Sequence, residues 1–490
     1  MKEIIIIGGG IAGLSAGIYA QKNGFKSTIY EKHFIVGGEC TGWNREGHHI
    51  DGCIHWLTGV KQGTALNKVW KETGAIDNVE MKICDVFNTY DFDGVTISLS
   101  SDLEKLKRDL INISQEDKDE IEKLISDIYV LQAMQMPADK PMDLMSPLEL
   151  IKFMGSMKSI GKVMNKASKI TCEEYGKRFK HPAIRKIFEI SMPRGYNLSS
   201  FLFTLATYSA GDSGFPKGGS YGLAMRMKDK YLSLGGNIKT KSAVEEIIVE
   251  NNVAKGIILK NGEKFSADYI VPTCDTRIVL DKLLKNRYKD KRLSERYNNS
   301  KDYPINTIVY AAFAVDADLK DYPEGIIFNS KPIRVGTEIM EYCGFKNYCY
   351  EESFAPQGKS TIICAINQYL EDYEFWKELS KDRKKYIDEK NRISNEIIDI
   401  IEDKYPELRG KIKALDVATP VTYERYCGAY KGAYMSFILT PKSKSLTHNG
   451  KIKGVKNCYL AGQWLQPPGG LPVAVTTGKF AIQRICKDAK

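Results

Sequence analysis

Ile4-Ile5-Ile6-Ile7 is a short, unbroken β-branched run, the pattern of a strand covered on both faces. Gly8 to Gly13 follow at once, and Leu14 to Asn23 then reads as a helix closed by Gly24. Ser27 to Tyr30 is a second strand with Glu31 at its carboxyl end. Together these predict a gapless βαβ unit. Beyond it the period changes. Ile111 to Met134 is helical and rich in charge, and Pro137, Pro141 and Pro147 interrupt the chain. A basic amphipathic helix is predicted over about 148–170: Ile151, Met154, Met157, Ile160 and Met164 recur at helical spacing among Lys152, Lys158, Lys162, Lys166 and Lys169. From 236 the alternation turns to strands. Val244–Val249, Val253–Leu259 and Phe265–Val271 form a predicted meander with turns at Asn251-Asn252 and Asn261-Gly262. Residues 303–370 carry further strand-like segments, such as 307–315 and 361–368; a short strand is expected at 458–461, and helices at 372–403 and about 473–487.

With 490 residues, 43% of them hydrophobic, the chain has length for two or more cored domains. Its formal charge of +10 comes without long basic blocks; the longest is Arg383-Lys384-Lys385. Nucleic acid is therefore not an expected partner. The mild excess suits a solvated lysine-rich surface or contact with an anionic membrane face. Eleven cysteines without a CxxC argue against a disulfide framework or zinc site and for a reducing compartment. The amino terminus reads as a strand rather than a signal peptide, and no 18-residue apolar window occurs. A cytoplasmic protein, with membrane association left open, is the expectation.

Gly8-x-Gly10-x-x-Gly13 after a strand and before a helix is a dinucleotide fingerprint. Gly8 permits the turn, Gly10 the approach of a pyrophosphate, and Gly13 close packing of helix on strand. Helix-start N–H groups of Ile11 and Ala12 face the phosphates. Glu31, 18 residues after Gly13, sits where an acid bonds a ribose hydroxyl, with Lys32 beside it. A second glycine pair, Gly37-Gly38, follows, then Glu39, Cys40 and a stretch to Gly52 and Trp56.

With Phe215-Pro216-Lys217-Gly218-Gly219-Ser220 and Tyr459-Leu460-Ala461-Gly462 through Gly469-Gly470-Leu471-Pro472, these blocks resemble the phytoene desaturase, carotenoid isomerase and retinol saturase group, distantly similar to amine oxidases. Thr419-Pro420, Arg425-Tyr426 and Gly428-Ala429 fit a weaker block. The resemblance implies FAD and an α/β fold: a discontinuous glutathione-reductase-like Rossmann domain over 1–85, 215–285 and 415–490, and a mixed α+β substrate domain over 86–214 and 286–414. It places Val244 near the adenine, and Gly462, Gln463, Gly470, Leu471, Val473 and Ala474 around the isoalloxazine. The helix beginning near Pro472 directs its positive end at the ring.

Two positions depart from the group. Many members carry arginine after the glycine pair, where Glu39 stands here; Arg45 is the candidate substitute. Amine oxidases commonly carry glutamate after Ala-Gly, where Gln463 stands. For catalysis the candidates are His55 as acid or base, Tyr208, and Trp464 as a stacking surface; Arg194, Tyr196, Asp212 and Tyr426 are further polar candidates for the pocket. Adjacent His48 and His49 cannot face one metal from a strand, so no metal is expected. The reading is an FAD-dependent oxidoreductase moving a hydride between flavin N5 and a carbon of a lipophilic unsaturated substrate, by desaturation, saturation or isomerisation. A flavin amine or amino-acid oxidase and a non-catalytic FAD-containing lipid-binding protein stay open. No second GxGxxG follows a later strand, so the electron partner is undefined.

Overall fold

The computed structural model describes residues 1–444 and 447–489. β1 (Glu3–Ile7), α1 (Ile11–Lys22) and β2 (Lys26–Tyr30) form the expected βαβ unit, with Ile5 opposite Thr28 in a parallel pair. Asn237–Lys239 pairs with β2 and Tyr269–Pro272 with β1, both parallel, giving a four-stranded sheet drawn from three distant stretches. Cys458 extends it by a single bridge to Ile270, and Tyr459 bridges Lys451, where a regular strand was expected over 458–461.

α1 is buried over ten consecutive residues because it is covered on two sides. Gly219–Ser233 lies against it, with the Tyr231 ring 2.7 Å from where a Gly17 Cβ would stand. The carboxyl-terminal helix Leu471–Asp488 crosses it, and a Cβ on Gly478 would sit 2.4 Å from the Ala12 carbonyl oxygen.

The expected strand 265–271 is two strands in two sheets. Lys264–Ser266 pairs with Val253–Leu259 in the meander, and Tyr269–Pro272 joins β1. Between them Asp268 is fixed at the edge of β1: its backbone N–H donates to the Glu3 carbonyl and its carboxylate accepts from the Glu3 N–H at 2.7 Å.

A second, eight-stranded sheet runs in the order 412–418, 305–315, 360–368, 338–347, 325–335, 86–92, 95–100, with Ala433–Phe437 also on Ile305–Val315. The strands over 412–418 and 433–437 thus belong to this sheet, although the boundary expected at 415 gives most of them to the cofactor part. Helices Leu103–Ile113, Lys118–Leu131, Pro182–Ile190 and Leu198–Ser209 pack over its far end around their own core. The single helix expected over 148–170 is two, Pro147–Ser156 and Lys158–Ala167. The first ends in the weak helix formers Gly155 and Ser156, and Met157 breaks the ladder with φ −92° and ψ 3°. Among the described residues no helix is long and apolar enough to cross a membrane.

The crossing at Gly478 has a direct test. Gly478→Ala forces α1 and the last helix apart and is expected to cost about 1–3 kcal/mol in denaturant unfolding. Gly161→Ala, with nothing within 4 Å of the added carbon, is expected to be neutral or slightly stabilising. Equal stability of the two variants would remove the crossing as a constraint.

Candidate active site

A cavity of about 2340 Å³ runs from the Gly8–Ala12 loop to the helices at 147–167. Single-ligand pockets are usually about 300–1,000 Å³, so this one has room for a dinucleotide and a second large molecule.

Its first end is built as a phosphate cradle. Gly8 has φ +102°, and a Cβ on Gly13 would lie 2.0 Å from the Gly8 carbonyl oxygen, so both positions exclude a side chain for internal reasons. Gly10 differs: its φ is −71°, and no atom lies nearer than 3.9 Å to the position of its missing Cβ. The protein itself does not require glycine there, whereas a backbone-hugging pyrophosphate does. Gly10 caps α1 without a side-chain bond, and no acid lies in the first turn, leaving the helix start open to an anion. Gly8, Gly10, Ile11 and Ala12 line the cavity, whereas Gly13 packs behind it.

Glu31 lines the cavity at the end of β2, its carboxylate fixed by the Gly9 N–H at 2.7 Å and the His33 N–H at 2.8 Å. Lys32 is beside it, donating to the Arg425 carbonyl at 3.3 Å, and Val244 lines the same end. Gly37 and Gly38, with φ +119° and +63°, fold back so that the Gly37 N–H reaches the Gly9 carbonyl at 2.9 Å. Arg45 stands on the hairpin Gly42–Arg45/His48–Asp51, and its guanidinium is engaged by Asp416 at 3.0 Å.

At the far glycine loop, Gly462 and Gly470 have φ +123° and +85°, and Thr477 Oγ1 accepts from the Gly462 N–H at 2.9 Å. Leu471, Val473 and Ala474 line the cavity. The Ala474 N–H is committed to the Gly470 carbonyl at 3.0 Å, so Val473 carries the open first-turn donor.

The two departures noted above meet. Gln463 Nε2 donates to Glu39 Oε2 at 3.1 Å, and Gln463 Oε1 accepts from the Gly470 N–H at 3.0 Å. Burial pushes the Glu39 carboxyl up to about 8, with Asp275 adding repulsion against the Gln463 bond. A neutral Glu39 therefore links the glycine pair to the far loop, in place of a charged side chain.

His55 is enclosed and stacked between Tyr310 and Tyr434, with ring centroids at 6.1 and 5.9 Å. Burial, aided by the Lys346 charge, lowers it to about 3, so it stays neutral near pH 7. Tyr208 forms an aromatic wall with Trp56 and Phe87 at 5.7 and 5.5 Å, and burial holds its phenol protonated. Trp464 lines the cavity beside the glycine loop, is 4% exposed, and packs on Tyr297 and Phe437. Tyr196 and Tyr426 line the cavity; Asp212 anchors the Lys61 N–H at 2.8 Å, and Arg194 pairs with Glu338 at 3.2 Å. Neither histidine of the adjacent pair joins a metal cluster, and among the described residues no such cluster occurs. His48 meets Thr361 Oγ1 at 3.0 Å and His49 meets Asn44 at 2.7 Å.

Three groups escaped the sequence reading. Lys346, in the strand Glu338–Asn347, is enclosed by protein and lines the cavity; its ammonium donates to the His55 carbonyl and lies 5.5 Å from the Phe215 ring. Among the described residues no carboxylate pairs with it, and burial lowers its pKa. Asp51 is fully buried and accepts from the Ser220 N–H, Ser220 Oγ and Ile54 N–H at 2.6, 2.5 and 3.1 Å. That network pins the Gly37–Trp56 stretch to the Phe215–Ser220 block, giving a physical reason for two of the recognised blocks. Tyr434 closes the same corner by donating to the Cys53 carbonyl at 2.6 Å.

The profile of the family described as flavin containing amine oxidoreductase matches residues 11–486. The chain belongs to that family. Its cofactor is accordingly a flavin, and the fingerprint geometry makes it FAD. The relatives include a 4,4'-diapophytoene desaturase (4,4'-diapolycopene-forming) of Methylomonas sp., 24% identical over 99% of this chain and 95% of that protein. A chloroplastic prolycopene isomerase of Daucus carota is 23% identical over 99% of this chain and 80% of that protein. Among solved structures, a putrescine oxidase variant superposes with a TM-score of 0.62 at 13% identity over 99% of both chains, which establishes the shared fold. The chain is thus an FAD-dependent oxidoreductase.

Two expected outcomes follow from this geometry. Gly10→Val should fold with wild-type stability yet purify without the yellow cofactor, checked by thermal melting and absorbance; retained FAD would overturn the cradle. Glu39 is neutral below about 8 and gains charge above it. FAD dissociation should therefore rise roughly tenfold from pH 7 to 9.5 in the wild type, through repulsion of an anionic cofactor. Glu39→Gln should flatten that profile in fluorescence titrations.

Proposed function

We propose that this enzyme transfers a hydride between flavin N5 and a carbon of a lipophilic unsaturated substrate of the polyene type. The observation that carries the reading is the cavity beyond the cofactor cradle, walled by Trp56, Phe87 and Tyr208 and lined with Met134, Met136, Met157, Met164, Met192 and Met340. Methionines adapt to long, irregular apolar chains, and the aromatic wall offers flat faces to a conjugated one. The curated relatives named above support the substrate class. Bound flavin supplies the two-electron chemistry; the protein orients the substrate and excludes water. Neutral His55 and protonated Tyr208 supply hydrogen bonds rather than net charge. The cofactor part is read as a glutathione-reductase-like Rossmann domain in the pieces 1–85, 215–285 and 415–490.

An amine or amino-acid oxidase is the second reading. Lys346 weighs against an amine, since a cation entering that part of the cavity meets a buried lysine that forms no ion pair among the described residues, Glu324 and Asp51 acting on it only at longer range. The electron donor or acceptor is a separate partner.

We further propose that substrate enters from a membrane face. Leu148, Ile151 and Met154, spaced by three on one helix, are 80%, 68% and 64% exposed, while Phe153 and Met157 of the same segment line the cavity. The roof of the cavity thus presents an apolar outer face among lysines, as an interfacial helix does. The protein would act at the cytoplasmic leaflet.

Anaerobic mixing of FAD-loaded enzyme with a polyene panel should bleach the flavin or change the polyene spectrum. Hydrogen peroxide from amines, with no polyene product, would replace this reading with the second; no flavin response to any substrate or reductant would leave a non-catalytic lipid-binding protein. Serine at 148, 151 and 154 together should abolish sedimentation with anionic vesicles and cut turnover of vesicle-borne substrate about tenfold, sparing turnover in detergent.

A further inference from the structure

We propose that Cys40 and Cys53 form a redox-active dithiol–disulfide couple that exchanges two electrons with the flavin. The inference rests on the flavin reading of the same cavity. Its geometry comes from the hairpin. Gly42 pairs with Asp51, and the Gly52 N–H continues the ladder to the Thr41 carbonyl at 2.8 Å. Cys40 and Cys53 are the next residues outward on the two arms of the hairpin, and their side chains are neighbours on the cavity wall. Side chains so placed come within the reach of a disulfide.

Each thiol is held in place from its own side. Cys40 follows the Gly37-Gly38 turn, its N–H donating to the Gly37 carbonyl at 3.1 Å and its thiol to the Ser220 carbonyl at 3.4 Å. Cys53 is held by Asp51, which accepts its N–H at 3.2 Å, and by Tyr434 on its carbonyl. Cys343 and Cys364 also touch, yet the register of their strands, with Lys346 opposite Ile363, sets them diagonally, and Cys364 is off the cavity wall. They form a natural control.

The step balances within the site. An S–S bond forms between Cys40 Sγ and Cys53 Sγ and two S–H bonds break; two electrons and the accompanying protons pass to oxidised flavin, which becomes dihydroflavin. The reverse reduces the disulfide. The couple would let one chain store two electron pairs, one on the ring and one on sulfur.

Trypsin separates the thiols, since cleavage after Lys32, Arg45 and Lys61 places Cys40 in 33–45 and Cys53 in 46–61. Air-oxidised holoenzyme, alkylated and digested without reductant, should yield the two peptides linked, with Cys343 and Cys364 alkylated. Anaerobic dithionite titration of the same holoenzyme should consume about four electrons per chain, against about two in Cys53→Ser and in Cys40→Ser, each still loaded with FAD. Unlinked peptides overturn the couple. Linked peptides with a two-electron titration in the wild type overturn its exchange with the flavin. A protein that purifies without flavin overturns the flavin reading instead, and the peptide map then decides the pair alone.

Discussion

Two tight backbone approaches at the start of α1 hold the cofactor half in place. Where α1 meets the carboxyl-terminal helix, Gly478 lies against the Ala12 carbonyl, and at the next residue Gly13 lies on Gly8. Neither contact admits a methyl group. Through them the first turn of the chain, the phosphate cradle and the far glycine loop become one rigid surface. The helix that carries Val473 to the cavity is also tied to the opening unit, the Ser15 hydroxyl donating to the Val475 carbonyl at 2.6 Å and Gly478 lying on Ala12. Positioning the cofactor and closing the core are therefore the same act of packing.

A second constraint is polar. A buried carboxylate is costly unless its lone pairs are filled, and Asp51 fills them with the Ser220 N–H and hydroxyl and the N–H groups of Cys53 and Ile54. This fixes a stretch with little regular structure, from Gly52 to Trp56, on which His55 and the aromatic wall depend. The Glu39–Gln463 bond works in the same corner: two amino acids that look anomalous one at a time form a neutral, mutually satisfied bridge.

Local signals in the sequence carried the cofactor half well. Strand, glycine loop, helix and acid were legible because each rests on neighbours within thirty residues, and Gly8, Gly10, Glu31, Gly37 and Gly470 lie about the cavity as expected. What escaped was set by distant pairing. The alternation over 265–271 looks like one strand, and only the competition of β1 and Val253–Leu259 for it divides it in two. The strands at 86–100 were missed, and those at 325–347 left without bounds inside a strand-like stretch, because their inward faces line a cavity and mix polar with apolar residues. Lys346 is the sharpest case, since a lone lysine in a strand without a clear period gives no hint that it points inward. Trp464 stands on the cavity wall beside the glycine loop, and Tyr297, more than 160 residues away, stacks on its ring, a partner that no local signal announces.

The parallel sheet takes β1 and β2 from the start of the chain, its outer strands from residues 237–239 and 269–272, and its cover from the last eighteen-residue helix. On a ribosome, then, the fingerprint emerges well before the strands and the helix that flank it. Such non-local closure is slow and leaves apolar edges uncovered meanwhile. Dinucleotide capture waits for that closure, and the yellow colour of a preparation becomes a gauge of how many chains have completed it.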